Sequence, residues 1–142
     1  MVAYTSVYGN TKAAAELLAR KLEEKGCPKV VVTDLARSDM AENVEAAFRF
    51  SKLVLATTTY NGDVFPYMKE FIHHLTERNY QNRTVAFVEN GTWAPTAAKV
   101  MAKMLEGSKH LTFAETTVTI RSAVNEETIR AIDALAAELC HS

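Results

Sequence analysis

Residues 52–59 read KLVLATTT, with Leu53 to Ala56 apolar in unbroken succession before Thr57, Thr58 and Thr59. A strand with one face in water alternates apolar and polar residues, whereas a strand apolar at consecutive positions is covered on both faces. Working outward, MVAYTS (1–6), KVVVTDL (29–35), RTVAFVEN (83–90) and ETTVTIRS (115–122) read as further strands. Helical period fills the intervals. Thr11 to Lys25 places Ala14, Leu17, Leu18 and Leu22 on one face and closes with Gly26 and Pro28. Further helices are expected over 41–50, 66–78 and 96–105, and Asn125 caps a last one running to Leu139. The pattern is βα five times, which predicts an α/β fold: a three-layer α/β/α sandwich around a five-stranded parallel sheet.

The 142 residues suit one domain spanning 1–142, and 48% hydrophobic content suffices for a single core. No repeat, low-complexity segment or linker divides the chain. Sixteen basic against seventeen acidic residues leave a formal net charge of -1, which argues against nucleic acid and anionic membrane as partners. No apolar run is long enough to span a bilayer and no signal-like start is seen, so a cytoplasmic setting is expected. Cys27 and Cys140 form no CxxC pair or metal-ligand spacing, and free thiols are expected.

In a parallel sheet with helices on both faces, ligands bind beyond the carboxyl ends of the strands. The loops there are SVYGNT (6–11), TTTYNGDVFP (57–66) and NGTWAP (90–95), the most polar and aromatic parts of the chain. The first runs into a helix N-terminus, so its main-chain N–H groups and the Ser6 and Thr11 hydroxyls form a cradle for an anion. Gly9 allows close approach of the main chain, and Lys12 is the only neighbouring cation. Ser6, Asn10 and Thr11 also have the plainer reading of helix caps. Tyr60 and Trp93, the only tryptophan, follow two successive strands and can flank a flat ring, and Gly62 leaves the Asn61–Gly62 peptide free to turn.

Spacing excludes several relatives of the same architecture. The chain has neither GxxxxGK[ST] nor GxGxxG, so the nucleotide-binding loops of those types are absent. A response-regulator receiver would carry acidic residues after its first and third strands, where this chain has Thr5, Ser6 and Thr57 to Thr59. A low-molecular-weight phosphatase would need a cysteine and an arginine in the first loop, and neither is there.

The three loops, together with RSAVNEE before the last helix, resemble those of flavodoxin-like FMN-binding domains, and more narrowly the flavodoxin domain of flavodiiron proteins (A-type flavoproteins). The resemblance covers essentially the whole chain. It implies a short-chain flavodoxin-like fold with strand order 2-1-3-4-5 and FMN as cofactor. It implies further that Ser6, Val7, Tyr8, Gly9, Asn10 and Thr11 hold the phosphate. Thr58, Thr59, Tyr60, Asn61 and Gly62 would line one side of the isoalloxazine, and Asn90, Gly91, Thr92 and Trp93 the other. The protein would then tune the ring through hydrogen bonds and charge, with the Asn61–Gly62 peptide turning toward it on reduction and with Asp63 and Glu89 opposing added negative charge.

In flavodiiron proteins an FMN domain follows a diiron domain that reduces O2 or NO, and the iron ligands of such a domain have no counterpart in these residues. The resemblance thus implies an FMN-binding electron-transfer domain, either excised from a longer chain or a stand-alone relative. Its partners would be a rubredoxin-like or flavin-reductase donor, a diiron-domain acceptor where it is a fragment, and a second copy in a homodimer. An NAD(P)H-dependent flavin or quinone reductase and a non-redox interaction module are the alternatives. His73, His74, His110 and His141 are assigned neither metal nor catalysis, and no Ser-His-acid or Cys-His arrangement is evident.

Overall fold

The run at 52–59 does fill two cores at once. The computed structural model describes residues 1–6, 9–60, 63–91, 96–121 and 123–141, with only the main chain of Tyr60. Its elements are β1 (Val2–Tyr4), α1 (Asn10–Glu24), β2 (Val32–Asp34), α2 (Met40–Arg49), β3 (Lys52–Tyr60), β4 (Asp63–Val64), α3 (Pro66–Glu77), β5 (Thr84–Asn90), α4 (Ala97–Met104), β6 (Thr112–Phe113), β7 (Val118–Ile120) and α5 (Glu126–Cys140). Strands β2, β1, β3 and β5 lie side by side in parallel, and the three-layer α/β/α fold expected from the sequence is the one formed.

Alternation along the strands assigns each residue its layer. Leu53 and Leu55 of β3 with Val85 and Phe87 of β5 pack under α2, α3 and α4, against Val44, Phe71 and Met101. Val54, Ala56, Ala86 and Val88 face the other way, onto Leu18 of α1 and Leu135 of α5. Small residues at the centre of that second layer, Ala14, Ala15 and Ala136 among them, let α1 and α5 sit close to the sheet. Asn125 Oδ1 accepts from the Thr128 N–H at 3.0 Å and so caps α5 as the sequence predicts.

The fifth lane of the sheet differs from the single strand expected at 115–122. Two short strands share it, β6 opposite Thr84–Val85 and β7 opposite Val88–Asn90. The N–H groups of Glu115 and Thr116 donate to the Glu138 carboxylate of α5 at 2.7 and 3.0 Å, so these two donors turn to the helix and leave the ladder. A second addition, β4, folds back antiparallel on the end of β3, pairing Asp63 with Tyr60.

The expectation of free thiols is corrected. Cys27 and Cys140 are 113 positions apart yet their Cα atoms are 5.8 Å apart, and the two are joined as a disulfide. Spacing along the sequence could not show this, because topology makes the contact. Helices α1 and α5 both run back against the strands on the same face, so their C-terminal ends arrive at the same edge of the sheet. Lys25, the C-cap of α1, and Lys21 within it reach Asp133 of α5 at 3.2 and 3.9 Å along the same seam.

Candidate functional site

The strands end in hydroxyl and amide side chains, and the same alternation that sorted the core sends each of these to a definite helix. Thr5, one residue past β1, and Thr57 of β3 are fully covered and share a hydrogen bond of 2.6 Å between their hydroxyls. One position later, Thr58 turns to the opposite layer, where its hydroxyl lies 3.3 Å from that of Thr11 in the first turn of α1. Asn90, on the same face of β5, donates through Nδ2 to Thr11 Oγ1 at 3.3 Å. Thr11 therefore joins the ends of three elements.

The first loop closes on itself before α1 begins. Ser6 Oγ accepts from the N–H of Gly9 at 3.1 Å and of Lys12 at 3.4 Å, so a side-chain oxygen already occupies the place to which the helix directs its free donors. Gly9 is the N-cap of α1 with φ +89°, a left-handed conformation that a side chain would disfavour. An added Cβ there would meet nothing within 4 Å, so the glycine answers a conformational need and not a steric one.

On the α4 side, Thr96 supplies no side-chain cap to its own helix. The free donors at its start are filled from the sheet instead. Thr59 Oγ1 accepts from the N–H of Thr96 and of Ala97, both at 3.2 Å, and Glu89 Oε1 accepts from that of Ala98 at 3.1 Å. The second oxygen of Glu89 accepts from the Thr119 hydroxyl of β7 at 2.8 Å. Glu89 is thus a buried carboxylate at a helix N-terminus, a position the helix dipole favours.

Of the residues named from sequence, the structure gathers Ser6, Gly9, Asn10, Thr11, Thr58, Thr59, Asn90 and Gly91 at this one edge. Thr58 and Asn90 both meet Thr11 of α1, while Thr59 is directed to α4. Gly91 is tied to β7 by its N–H, which donates to Ile120 O at 3.0 Å. Val7, Tyr8, Asn61, Gly62, Thr92 and Trp93, and the side chain of Tyr60, lie outside the described residues. Asp63 accepts from Lys69 Nζ at 2.7 Å and from the Val64 N–H at 2.8 Å, and these bonds hold its carboxyl below the ordinary value. Sequence reasoning gave Glu89 a purely electrostatic role and missed the bonds it makes. The signal available was its period-2 position after Val85 and Phe87, which directs it inward.

Parallel topology, a helix N-terminus after β1 and hydroxyl and amide side chains at the carboxyl ends of β3 and β5 fit a flavodoxin-like protein. The family described as Flavodoxin domain matches residues 1–135, and the chain belongs to that family. No curated protein sequence matches the chain closely enough to count as a relative. Among solved structures, rubredoxin:oxygen oxidoreductase from Desulfovibrio gigas superposes with a TM-score of 0.92 at 17% identity, over 99% of this chain and 34% of that one. The Giardia intestinalis flavodiiron protein gives 0.84 at 20% identity, over 96% of this chain and 34% of its own. The Streptococcus pneumoniae TIGR4 flavodoxin gives 0.82 at 22% identity, over 99% and 96%. At these identities the likeness is one of fold. The chain spans about a third of the length of the first two and nearly all of the third. The family implies a flavin ligand and an electron-transfer role. Among the described residues no helix is long and apolar enough to cross a membrane.

Proposed function

We propose that this chain is an FMN-binding domain that carries electrons, and that in a longer flavodiiron-type protein it would pass them to a diiron domain reducing O2 or NO. The observation that carries the reading is the convergence on Thr11, where the first turn of α1, the end of β3 and the end of β5 are bonded into one edge. The residues fit the cofactor. Ser6, Gly9, Asn10 and Thr11 offer neutral hydroxyl and main-chain donors at a helix N-terminus, the chemistry that suits a phosphate. Bound FMN would supply the redox chemistry. The protein's part is to hold the phosphate, to orient the ring between the loops after β3 and β5, and to set its surroundings. Asp63, engaged with Lys69, is the carboxylate nearest the loop after β3 along the chain and would oppose extra negative charge there.

The flavodiiron-like fold suits a redox-partner context; a donor of rubredoxin or flavin-reductase type and assembly as a homodimer belong to the same proposal. Titrating FMN into apoprotein while following flavin fluorescence tests the core of the reading. Quenching that saturates at one FMN per chain is expected. Flavin emission that stays linear through excess FMN, with phosphate absent, would remove it.

A further inference from the structure

We infer that Glu89 is a positioning residue for the cofactor site, acting through the start of α4 and the end of β7; the inference rests on the FMN reading above. Glu89 is the next-to-last residue of β5, and the row Val85, Phe87, Glu89 points into the layer beneath α4. Two apolar members of that row fill the core. The third carries a carboxylate only 8% exposed into the same layer. Burying a carboxylate costs free energy unless hydrogen bonds replace water, and here each oxygen has a protein donor. Oε1 takes the Ala98 N–H and Oε2 takes the Thr119 hydroxyl. One side chain thereby bonds the helix that follows the 91–96 segment and the strand that pairs alongside β5.

Both ends of that segment depend on the same ties. Gly91 at its start donates to Ile120 O, one residue beyond Thr119, and Thr96 and Ala97 at its end donate to Thr59 Oγ1, one residue before Ala98. Removing the Glu89 carboxylate releases a helix donor and a strand hydroxyl together, on opposite flanks of the segment. The Thr59 bonds remain at its far end. The carboxylate acts chiefly by accepting two hydrogen bonds, with its charge a smaller favourable contribution at the helix start, so an amide of the same shape should keep most of the effect. The Gln carbonyl can keep the Ala98 bond, and the Thr119 hydroxyl can accept from the amide nitrogen.

The test compares Glu89→Ala and Glu89→Gln by FMN titration and by hydrogen exchange of the Ala98 amide, whose N–H donates to the carboxylate. Glu89→Ala is expected to weaken FMN binding by about tenfold or more and to speed exchange at Ala98 by a similar factor. Glu89→Gln is expected to restore both to within about twofold of the parent protein. Parent-like affinity and exchange in Glu89→Ala would overturn the inference, as would a folded Glu89→Gln that loses as much as Ala. Should Glu89→Ala not fold, Thr119→Val removes one of the two bonds and should shift both readouts the same way; no shift in either overturns the inference. Should the parent protein bind no FMN, the functional reading fails, while Ala98 exchange in the apoprotein still decides whether Glu89 holds the start of α4.

Discussion

The two ends of the sheet are held by different forces. At the amino ends of the strands, aromatic, cationic and covalent contacts close the molecule. Tyr80 is fully buried, meets the Phe48 ring edge-on at 5.3 Å, and lies under the Arg83 guanidinium at 5.0 Å. Arg83 in turn donates to the carbonyls of Phe48, Phe50 and Gln81. The Cys27–Cys140 disulfide joins α1 to α5 at the same end, beside a groove of about 360 Å3 lined by Leu22, Lys29, Phe50 and Leu139. At the carboxyl ends, by contrast, Thr5, Thr11, Thr57, Thr58, Thr59, Glu89 and Asn90 meet through hydrogen bonds between side chains and between side chains and helix starts. Apolar and covalent ties stabilise without needing a ligand. A polar lattice of donors and acceptors can exchange partners with one. The first end is the scaffold and the second is the candidate site.

The largest test of that contrast is chemical. Closing a loop of this length restricts the unfolded chain, so reducing the disulfide, or replacing both cysteines with serine, should cost about 4 kcal/mol of unfolding free energy. Urea melts with and without reductant measure it. FMN affinity should change little, because the bond lies at the end of the sheet away from the cofactor loops. Loss of FMN binding on reduction, with the fold intact, would mean that the two ends are not separable.

Tyr80 gives the next effect, and it has a sign in pH. Burial raises its phenol from 10.0 to about 12, and its hydroxyl has no hydrogen-bond partner among the described residues. The neutral form is the one the fold holds. The unfolded chain therefore gives up this proton near pH 10 while the folded one keeps it to about 12. The stability this residue contributes is present in full below pH 10, falls as pH rises through that window, and amounts to up to about 2–3 kcal/mol. Tyr80→Phe should remove that slope. At neutral pH it should leave stability unchanged or raise it by about 1 kcal/mol, since an unpaired buried hydroxyl is lost. Equal pH slopes in the two proteins would show that the hydroxyl is hydrated in solution.

The sequence showed the layers well and the contacts of the first end poorly, for physical reasons. Runs such as 52–59 carry their burial in composition, so the layers, the parallel sheet and the Asn125 cap were legible. The loops announced themselves by glycine and hydroxyl content at strand ends. The cysteine pair was not legible, because 113 residues separate partners that only the return of α1 and α5 to one edge brings together. The split of Thr58 from Thr59 was readable in principle from alternation alone. The split of the fifth lane into β6 and β7 was not, since it depends on Glu138, a helix residue 22 positions from Thr116.

The smallest effect is the most informative about the site. Thr59→Val keeps nearly the same shape and removes the oxygen that accepts from Thr96 and Ala97, so α4 loses part of a cap that its own first residues do not provide. Loss of a cap costs about 1 kcal/mol. Thr59 and Glu89 serve adjacent donors of one helix turn, so their effects should not add. Once Glu89→Ala has freed Ala98, that turn can fray, and Thr59 has less ordered structure to hold. A double-mutant cycle of Thr59→Val with Glu89→Ala should therefore show a coupling of about 0.5–1 kcal/mol, the pair costing less than the sum. Full additivity in denaturant melts would mean that each strand end holds its own part of α4. The site would then be two separate contacts, and a change at β3 would leave the β5 side of the cofactor loops undisturbed.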